Sequence, residues 1–431
     1  MAFFRSALST FMFRIVVILS SIVFGISIAR TLGPEGRGIW ALLALNFVLL
    51  TLVSNLGTPE SSIFFIGKKI YNKIVILRNL MLFSTVMGLI VILVNTILYY
   101  IGINILFNNA SNEIFWLSML VIIPLAIDTQ IRHFLLANKR VIAYNILNAF
   151  EAIALLILIS ILLFTDNITV LNVVIAFVIT TFLNFGLHLY HVRKELRESI
   201  EGKLYQWIII KKILSNGFAY FFTGMGGFWS SRLNILLIEI YATVSTVGLY
   251  TVALAFPNLI ANIPNQIGLI LYPYVSNETD EKFNYAFTSL IVKLSLIVTA
   301  LISIPLWIFG NEIILFIYGD EFTGLQIALN YLLLAMILEG TGNLVFNHFA
   351  GLGKPIYGTY QFVISISISL LFGLILIPEY GLMGAAISKL IAALASVVFI
   401  VFKFSKNYSV LRLLLPTKQD FRIFKKVLSK G

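Results

Sequence analysis

Eight ionisable side chains stand inside long apolar runs of this chain: Arg14, Arg132, Arg232, Lys293 and Lys389 carry positive charge, and Asp128, Glu151 and Glu339 carry carboxyls. An ionised group near the middle of a bilayer costs about 2.5–3.5 kcal/mol on insertion scales, so each must snorkel, pair, line water or meet a ligand. A guanidinium can grip phosphate oxygens bidentately, and an ammonium can meet them as a point charge. A buried carboxyl can hold a cation, carry a proton or neutralise an inward Arg or Lys.

Depth along the helix sorts them. Arg232 falls roughly 7 Å from the middle of a run over 213–240, just after Gly224, Gly226 and Gly227, which weaken the helix and permit a bend. It is the cation best placed to face a polar cavity. Arg14 and Lys293 lie nearer one face, where headgroups offer an alternative partner. Arg132 lies about 27 Å from the far end of its helix, so it is expected to reach headgroups, and it follows Asp128 by one helical turn in the favourable order for an ion pair. Lys389, near the opposite end of its run, is expected to snorkel. Glu151 and Glu339 sit about 15 and 18 Å into their helices and cannot reach a headgroup. Ion coupling or internal charge pairing is expected of them and of Asp128.

The elements that must position these groups follow from composition. Of 431 residues 59% are hydrophobic and 11% charged, and mean hydropathy is +0.98. This predicts an all-α integral membrane protein with about 12 crossings. The runs cover 11–30, 38–57, 78–101, 114–136, 141–164, 170–192, 213–240, 248–275, 287–309, 327–350, 356–377 and 384–404. Only Arg5 precedes the first run and no small-residue cleavage pattern closes it, so it is expected to remain as an uncleaved span.

Lysine and arginine accumulate on the cytoplasmic side of membrane proteins. Alternate loops are basic at Lys68, Lys69, Lys73 and Arg78, at Lys139 and Arg140, from Arg193 to Lys212, and in the tail, whereas the opposite loops hold only Arg30 and Arg37. Both termini are therefore expected inside the cell (inner) membrane. The formal net charge of +11 reads as loops facing anionic lipid rather than as a nucleic-acid surface. Trp40, Trp116 and Trp307 are expected at outer span ends and Trp207 at an inner one. Pro257, Pro264 and Pro273 in the eighth run and Pro124 in the fourth predict kinks.

The predicted organisation is an N-terminal six-helix lobe (1–192), a linker (193–212), a C-terminal six-helix lobe (213–404) and a basic cytoplasmic tail (405–431). Leu196, Ile200, Leu204 and Trp207 alternate with cations at helical spacing, which suggests an amphipathic surface helix in the linker. The lobes echo one another: Gly38-Ile39-Trp40-Ala41-Leu42-Leu43 against Gly248-Leu249-Tyr250-Thr251-Val252-Ala253, and Asn138-Lys139 against Gly353-Lys354. Such a repeat is parallel, related by an axis along the membrane normal, and transporters often place their substrate site between halves of this kind.

Several segments carry a resemblance. Ala29-Arg30-Thr31-Leu32-Gly33-Pro34-Glu35-Gly36-Arg37-Gly38-Ile39-Trp40, Asn55-Leu56-Gly57-Thr58-Pro59-Glu60, Val247-Gly248-Leu249-Tyr250, Leu352-Gly353-Lys354-Pro355 and Pro378-Glu379-Tyr380-Gly381-Leu382-Met383-Gly384-Ala385-Ala386 are similar to the polysaccharide-biosynthesis, or Wzx-type, flippases of the multidrug/oligosaccharidyl-lipid/polysaccharide exporter superfamily. The resemblance runs from about residue 5 to about residue 405. It implies two pseudo-symmetric six-helix lobes around a central cavity that opens alternately to each face and, as cargo, a polyprenyl-diphosphate-linked oligosaccharide of O-antigen, lipopolysaccharide, capsule or exopolysaccharide assembly, with membrane lipids and other polysaccharide-assembly proteins as partners. Under it, Arg14, Arg232 and Lys293 are the expected diphosphate contacts. One departure stands out: where many relatives place an aspartate after the arginine of span seven, this chain reads Ser231-Arg232-Leu233-Asn234, and Asn cannot carry that charge.

Other chemistries find no support. The chain has no cysteine, which excludes disulfides and thiolate sites. His133, His188, His191 and His348 form no zincin-like metal pair, and interface anchoring is expected of His188 and His191. Gly224-Met225-Gly226-Gly227 lies in an apolar helix, not after a strand, so it is no phosphate loop. Asp320-Glu321 reads as a solvated loop. The expectation is a transporter without a cofactor, apart from H+ or Na+ coupling, and not an enzyme. A cation-coupled multidrug exporter, whose cavity would be dominated by Asp128, Glu151 and Glu339, remains the alternative. A membrane glycan polymerase or ligase would need larger outer loops than these.

Overall fold

A computed structural model describes residues 2–102, 111–198 and 205–415. Every regular element among them is helical, and the chain divides into two compact units, Met1–Phe228 and Trp229–Gly431. The division falls inside a helix that begins at Trp207, later than the 193–212 segment in which the linker was expected.

The first unit contains α1 (Ala2–Asn55), α2 (Thr58–Gly67), α3 (Lys73–Tyr100), α4 (Asn112–Leu120), α5 (Ile122–Ala137), α6 (Val141–Phe164), α7 (Val170–His191), α8 (Arg193–Arg197) and the first part of α9 (Trp207–Tyr241). The second holds the rest of α9, then α10 (Val244–Ala253), α11 (Ala255–Asn277), α12 (Glu281–Tyr318), a 3-10 turn at Asp320–Phe322, α13 (Gln326–Gly351), α14 (Ile356–Ser405) and α15 (Val410–Leu414). Among the described residues, eight helices are long and apolar enough to cross a membrane, or nine if α10 and α11 form one bent span.

Two of those helices are each long enough to cross twice, and a glycine breaks each of them. Gly33 (φ 65°) interrupts α1 just before Pro34, and Gly381 (φ 52°) interrupts α14 just after Pro378. Positive φ is cheap only for glycine, and proline denies the helix a donor, so the pair makes a turn between crossings. Both breaks lie in the segments that carried the family resemblance. Helix α9 is absent from the apolar set because Gly224, Gly226, Gly227, Ser230, Ser231, Arg232 and Asn234 dilute its hydropathy. Its polarity marks it as a helix that needs partners other than lipid.

Two expected proline kinks are present as breaks one turn upstream. α4 gives way to α5 at Val121, before Pro124, and α10 to α11 at Leu254, before Pro257, with a bend of 44°. Pro264 and Pro273 lie within α11 without such a break. A further break at Phe309 (φ −114°, ψ 19°) follows Pro305 in α12. There Gln326 Nε2 donates to the carbonyls of Leu306 (3.2 Å) and Trp307 (2.7 Å), supplying the donor that the broken helix lacks.

The first unit has two apolar cores. One joins α1, α4, the start of α5, α6 and α7 around Phe47, Phe115, Ile122 and Val174, and the other joins α2, α3, the rest of α5 and the start of α9 around Ile76, Ile131, Phe134 and Ile213. In the second unit Tyr285, Val345, Phe349 and Phe404 bring α12, α13 and α14 together. Trp40 is 7% exposed and edge-on to Phe24 and Phe177 at 5.2 and 5.5 Å, so its ring is packed inside the unit rather than turned to lipid. Trp116, Trp207 and Trp307 are exposed. The expected linker helix stops at Arg197 with Glu198 extended, and Arg78 Nη2 donates to the carbonyls of Glu195, Leu196 and Glu198 at that end. Ile200 and Leu204 lie outside the described residues, as do the tail cations beyond 415.

Candidate functional site: a cavity in the first unit

A cavity of ≈ 430 Å³ opens in the first unit. Trp40, Phe47, Thr51 and Asn55 of α1 form one wall, and Leu125, Thr129 and Arg132 of α5 face it. Glu151 of α6, Phe177 of α7, Tyr220, Phe221 and Gly224 of α9, and Glu60 on the first turn of α2 complete the lining. Most of the wall is aromatic or aliphatic and a few polar groups converge on it, which is the usual make-up of a small-molecule site.

Helical spacing places the charges. Asp128 and Arg132 share a face of α5; Asn148 and Glu151 share one of α6; Asn184 and His188 share one of α7. Arg132 Nη2 meets Glu151 Oε2 at 2.5 Å and Nη1 donates to Asn148 Oδ1 at 2.8 Å, while Asn184 Nδ2 donates to the same Glu151 oxygen at 3.2 Å. Arg132 is therefore neither a headgroup anchor nor the direct hydrogen-bond partner of Asp128. Its guanidinium turns sideways to α6, where Glu151 offers a carboxylate. The pair is about a quarter exposed on each side, through the cavity it lines.

Asp128 is 1% exposed, with Oδ1 3.4 Å from His188 Nδ1. Both its carboxylate oxygens lack a hydrogen-bond donor, and the same His188 nitrogen lies 2.8 Å from the Asn184 carbonyl. His188 is fully buried, so the interface anchoring expected of it is corrected: α5 and α7 close over the ring. His348, likewise buried, meets Thr288 Oγ1 at 2.8 Å. At the cavity rim His133 Nε2 approaches Glu60 Oε1 at 3.7 Å.

Beneath the cavity floor lies a polar knot that charge-based reading missed. Gln130 Nε2 donates to Asn55 Oδ1 (3.0 Å), Thr58 Oγ1 (2.7 Å) and Ser84 Oγ (3.0 Å), and Ser84 Oγ donates to Asn55 Oδ1 (2.7 Å). All four are buried. They tie α3 and α5 to the tight turn between α1 and α2, where Leu56 and Gly57 adopt φ of 46° and 72°. Gln130→Ala removes the shared donor and strands buried acceptors. It is expected to cost about 1–3 kcal/mol, read as a lower thermal midpoint in detergent, whereas Thr129→Ala at the neighbouring wall should be nearly neutral. Equal midpoints for the two variants would show that the knot contributes nothing.

The remaining sequence-derived residues are placed as follows. Arg14 is exposed on the first segment of α1. Arg232 is half-buried on α9, with Nη1 3.0 Å from Ser231 Oγ, and Lys293 is 5% exposed within α12. Lys389 does not snorkel: it is 5% exposed, its Nζ meets Glu339 Oε1 at 2.5 Å, and it donates to the Ser230 carbonyl at 3.1 Å. Burial against α9 and α13 keeps its chain from extending to a membrane face. Asn234, at the position of the family departure, is buried and accepts from Ser369 and Ser388 at 3.1 and 3.2 Å while donating to the Ala385 carbonyl at 3.3 Å. Its amide satisfies α14 without a charge. Glu239, overlooked in the sequence because it stands at the end of a run, is 9% exposed.

The helix arrangement has known counterparts. The structure of the lipid II flippase MurJ in an inward closed conformation superposes with a TM-score of 0.74 at 16% identity, covering 99% of this chain and 91% of that one. An inward-facing multidrug resistance MATE family transporter of the MOP superfamily follows at 0.65 and 15%, covering 90% and 95%. The chain shares the all-helical fold of these membrane transporters. Among curated proteins, the probable low-salt glycan biosynthesis flippase of Haloferax volcanii is 26% identical over 171 residues, or 38% of this chain and 36% of that relative. The chain thus spans little more than a third of the length of that relative in the match. No family model matches the chain. The resemblance read from the Gly33 and Gly381 segments is borne out by these comparisons, and the named relative and neighbours are flippases and transporters rather than enzymes.

Proposed function

We propose that the chain flips a polyprenyl-diphosphate-linked oligosaccharide from the inner to the outer leaflet of the cell membrane by alternating access, with both termini in the cytoplasm. The observation that carries this reading is the pairing of a lipid-flippase fold over 99% of the chain with a cavity that joins an aromatic wall to a guanidinium. Trp40, Phe47 and Tyr220 present flat apolar faces suited to sugar rings, and Thr51, Asn55 and Thr129 add hydroxyl and amide groups for their polar edges. Arg132 supplies bidentate recognition of phosphate once it exchanges Glu151 for cargo. Because transport has no chemical step, its work is differential binding: cargo must be held more tightly in one state than in the other. Arg14, Arg232 and Lys293 remain the further candidates for diphosphate contact. Asp128, Glu151 and Glu339 remain the candidates for H+ or Na+ coupling, with Asp128 foremost because no donor satisfies its oxygens.

The test is flipping of a defined lipid-linked oligosaccharide in reconstituted vesicles. Arg132→Ala and Arg232→Ala are each expected to slow it by at least about tenfold, the worth of one charge-assisted contact. Wild-type rates in both variants would remove the diphosphate assignment. A second reading, export of a cationic drug, is favoured by one observation: Glu60 and Glu151 both line the cavity, against Arg132 alone. Uptake of a lipophilic cation by the same vesicles, abolished by Glu60→Gln and Glu151→Gln with no flipping activity detectable, would select that reading.

A further inference from the structure

At one end of the first unit, α2 and α5 finish side by side, with Phe65 and Ile66 of one packed among Ile131, Phe134 and Leu135 of the other. Both end in the same turn. Lys69 N–H bonds the Ile66 carbonyl and Ile70 N–H that of Phe65; Lys139 N–H bonds the Leu136 carbonyl and Arg140 N–H that of Leu135. In each turn the lysine occupies the left-handed position, with φ of 55° at Lys69 and 58° at Lys139. That position ordinarily belongs to glycine. The second unit shows the ordinary solution: α13 ends in the same pair of bonds with Gly353 at φ 75°. Two lysines thus stand where α13 uses glycine, as Asp166 (φ 50°) also does at the end of α6.

What the two strained lysines share is a recess of ≈ 720 Å³, which they line together with Lys73 at the start of α3. All three side chains are exposed, and none has an ion-pair partner among the described residues. One carboxylate, Glu198, stands on the wall. Ile70, between Lys69 and Tyr71, is 47% exposed, as is Phe64 on the last turns of α2. The recess therefore joins three ammonium groups to the exposed Ile70, at the ends of α3 and α5, both in spans long and apolar enough to cross a membrane, where headgroups lie.

We propose that this recess is a binding site for the phosphate of an anionic phospholipid headgroup. The lysines meet the phosphate, and Ile70, which lines the recess with them, lies against the glycerol and upper acyl chain. Basic pockets at membrane helix ends hold anionic headgroups by the same combination of charge and apolar contact. The site stands apart from the cavity that would carry cargo, so it can fail while the flippase reading survives, and the reverse.

The test is native mass spectrometry of the full chain in detergent, offered phosphatidylglycerol or phosphatidylcholine with the same acyl chains. Wild type is expected to retain phosphatidylglycerol preferentially. The Lys69→Asn/Lys73→Gln/Lys139→Asn variant keeps left-handed geometry accessible and should lose on the order of a hundredfold in phosphatidylglycerol affinity, or about fivefold per lysine. A control of equal charge change, Lys282→Gln/Lys354→Gln/Lys406→Gln, should keep the preference. Lys139→Gly relieves the strain, so its thermal midpoint should not fall while its phosphatidylglycerol binding does. The proposal is overturned if the triple variant keeps the preference, if the control loses as much, or if Lys139→Gly binds as wild type. Displacement of phosphatidylglycerol by an equal concentration of inorganic phosphate would also overturn it, since the site would then take soluble phosphate and not lipid.

Discussion

Lys389→Gln is expected to destabilise the second unit by about 3 kcal/mol, the lower end of the cost of leaving one member of a buried ion pair alone, because Glu339 keeps 22% of its side chain exposed. The ammonium is 5% exposed, lies 2.5 Å from Glu339 and is the donor to the Ser230 carbonyl, so its removal strands a carboxylate and a carbonyl together. Glu339 Oε1 has no hydrogen bond to fall back on. Lys389 cannot find water by extending, because α9, α13 and α14 enclose it, whereas Glu339 keeps 22% of its side chain exposed. The measurement is the thermal midpoint in detergent. Lys389→Gln/Glu339→Gln should recover most of the loss, since two neutral amides can bond each other. A midpoint for Lys389→Gln equal to that of wild type would show that water reaches the pair.

The second large effect concerns Arg132 and Glu151, and it separates stability from transport. Glu151→Gln leaves the Arg132 guanidinium without its carboxylate, with a stability loss that should lie in the same range as that at Lys389, because Arg132 is 23% exposed and Glu339 22%. Arg132→Gln/Glu151→Gln should restore stability without restoring flipping. Transport needs the guanidinium for cargo, whereas folding needs only that neither charge is alone. A double variant that folds and flips at the wild-type rate would dismiss Arg132 from the site. Non-additivity in the cycle is expected, because the two side chains share one hydrogen-bonded cluster with Asn148 and Asn184.

These two pairs explain what could be read along the chain and what could not. The ionisable groups were visible as exceptions in apolar runs, and the cost of each was calculable from depth alone. Their partners were not. Arg132 had an acid one turn away in sequence, yet it bonds Glu151 on the next helix, and Lys389 had a route to a membrane face on paper, yet α9 and α13 close over it. Helical spacing ranks neighbours on one helix; it says nothing about the rotation of that helix against another. The polar knot of Asn55, Thr58, Ser84 and Gln130 was invisible for a related reason, since uncharged side chains in apolar runs carry no signal until their hydrogen bonds are seen.

Composition alone determined the solvent of this protein: with mean hydropathy of +0.98, bilayer-length helices are the only way to satisfy the backbone. Local sequence also determined where the long helices break, because Gly33 and Gly381 beside prolines act within one turn. Only the tertiary structure decided which faces meet: that Trp40 is core and not anchor, that His188 is buried against Asp128, and that Arg132 opens onto a cavity. The reason is physical. Hydropathy and backbone conformation are properties of short segments, whereas ion pairing and cavities depend on helix rotation and register, which packing between segments distant in the chain sets.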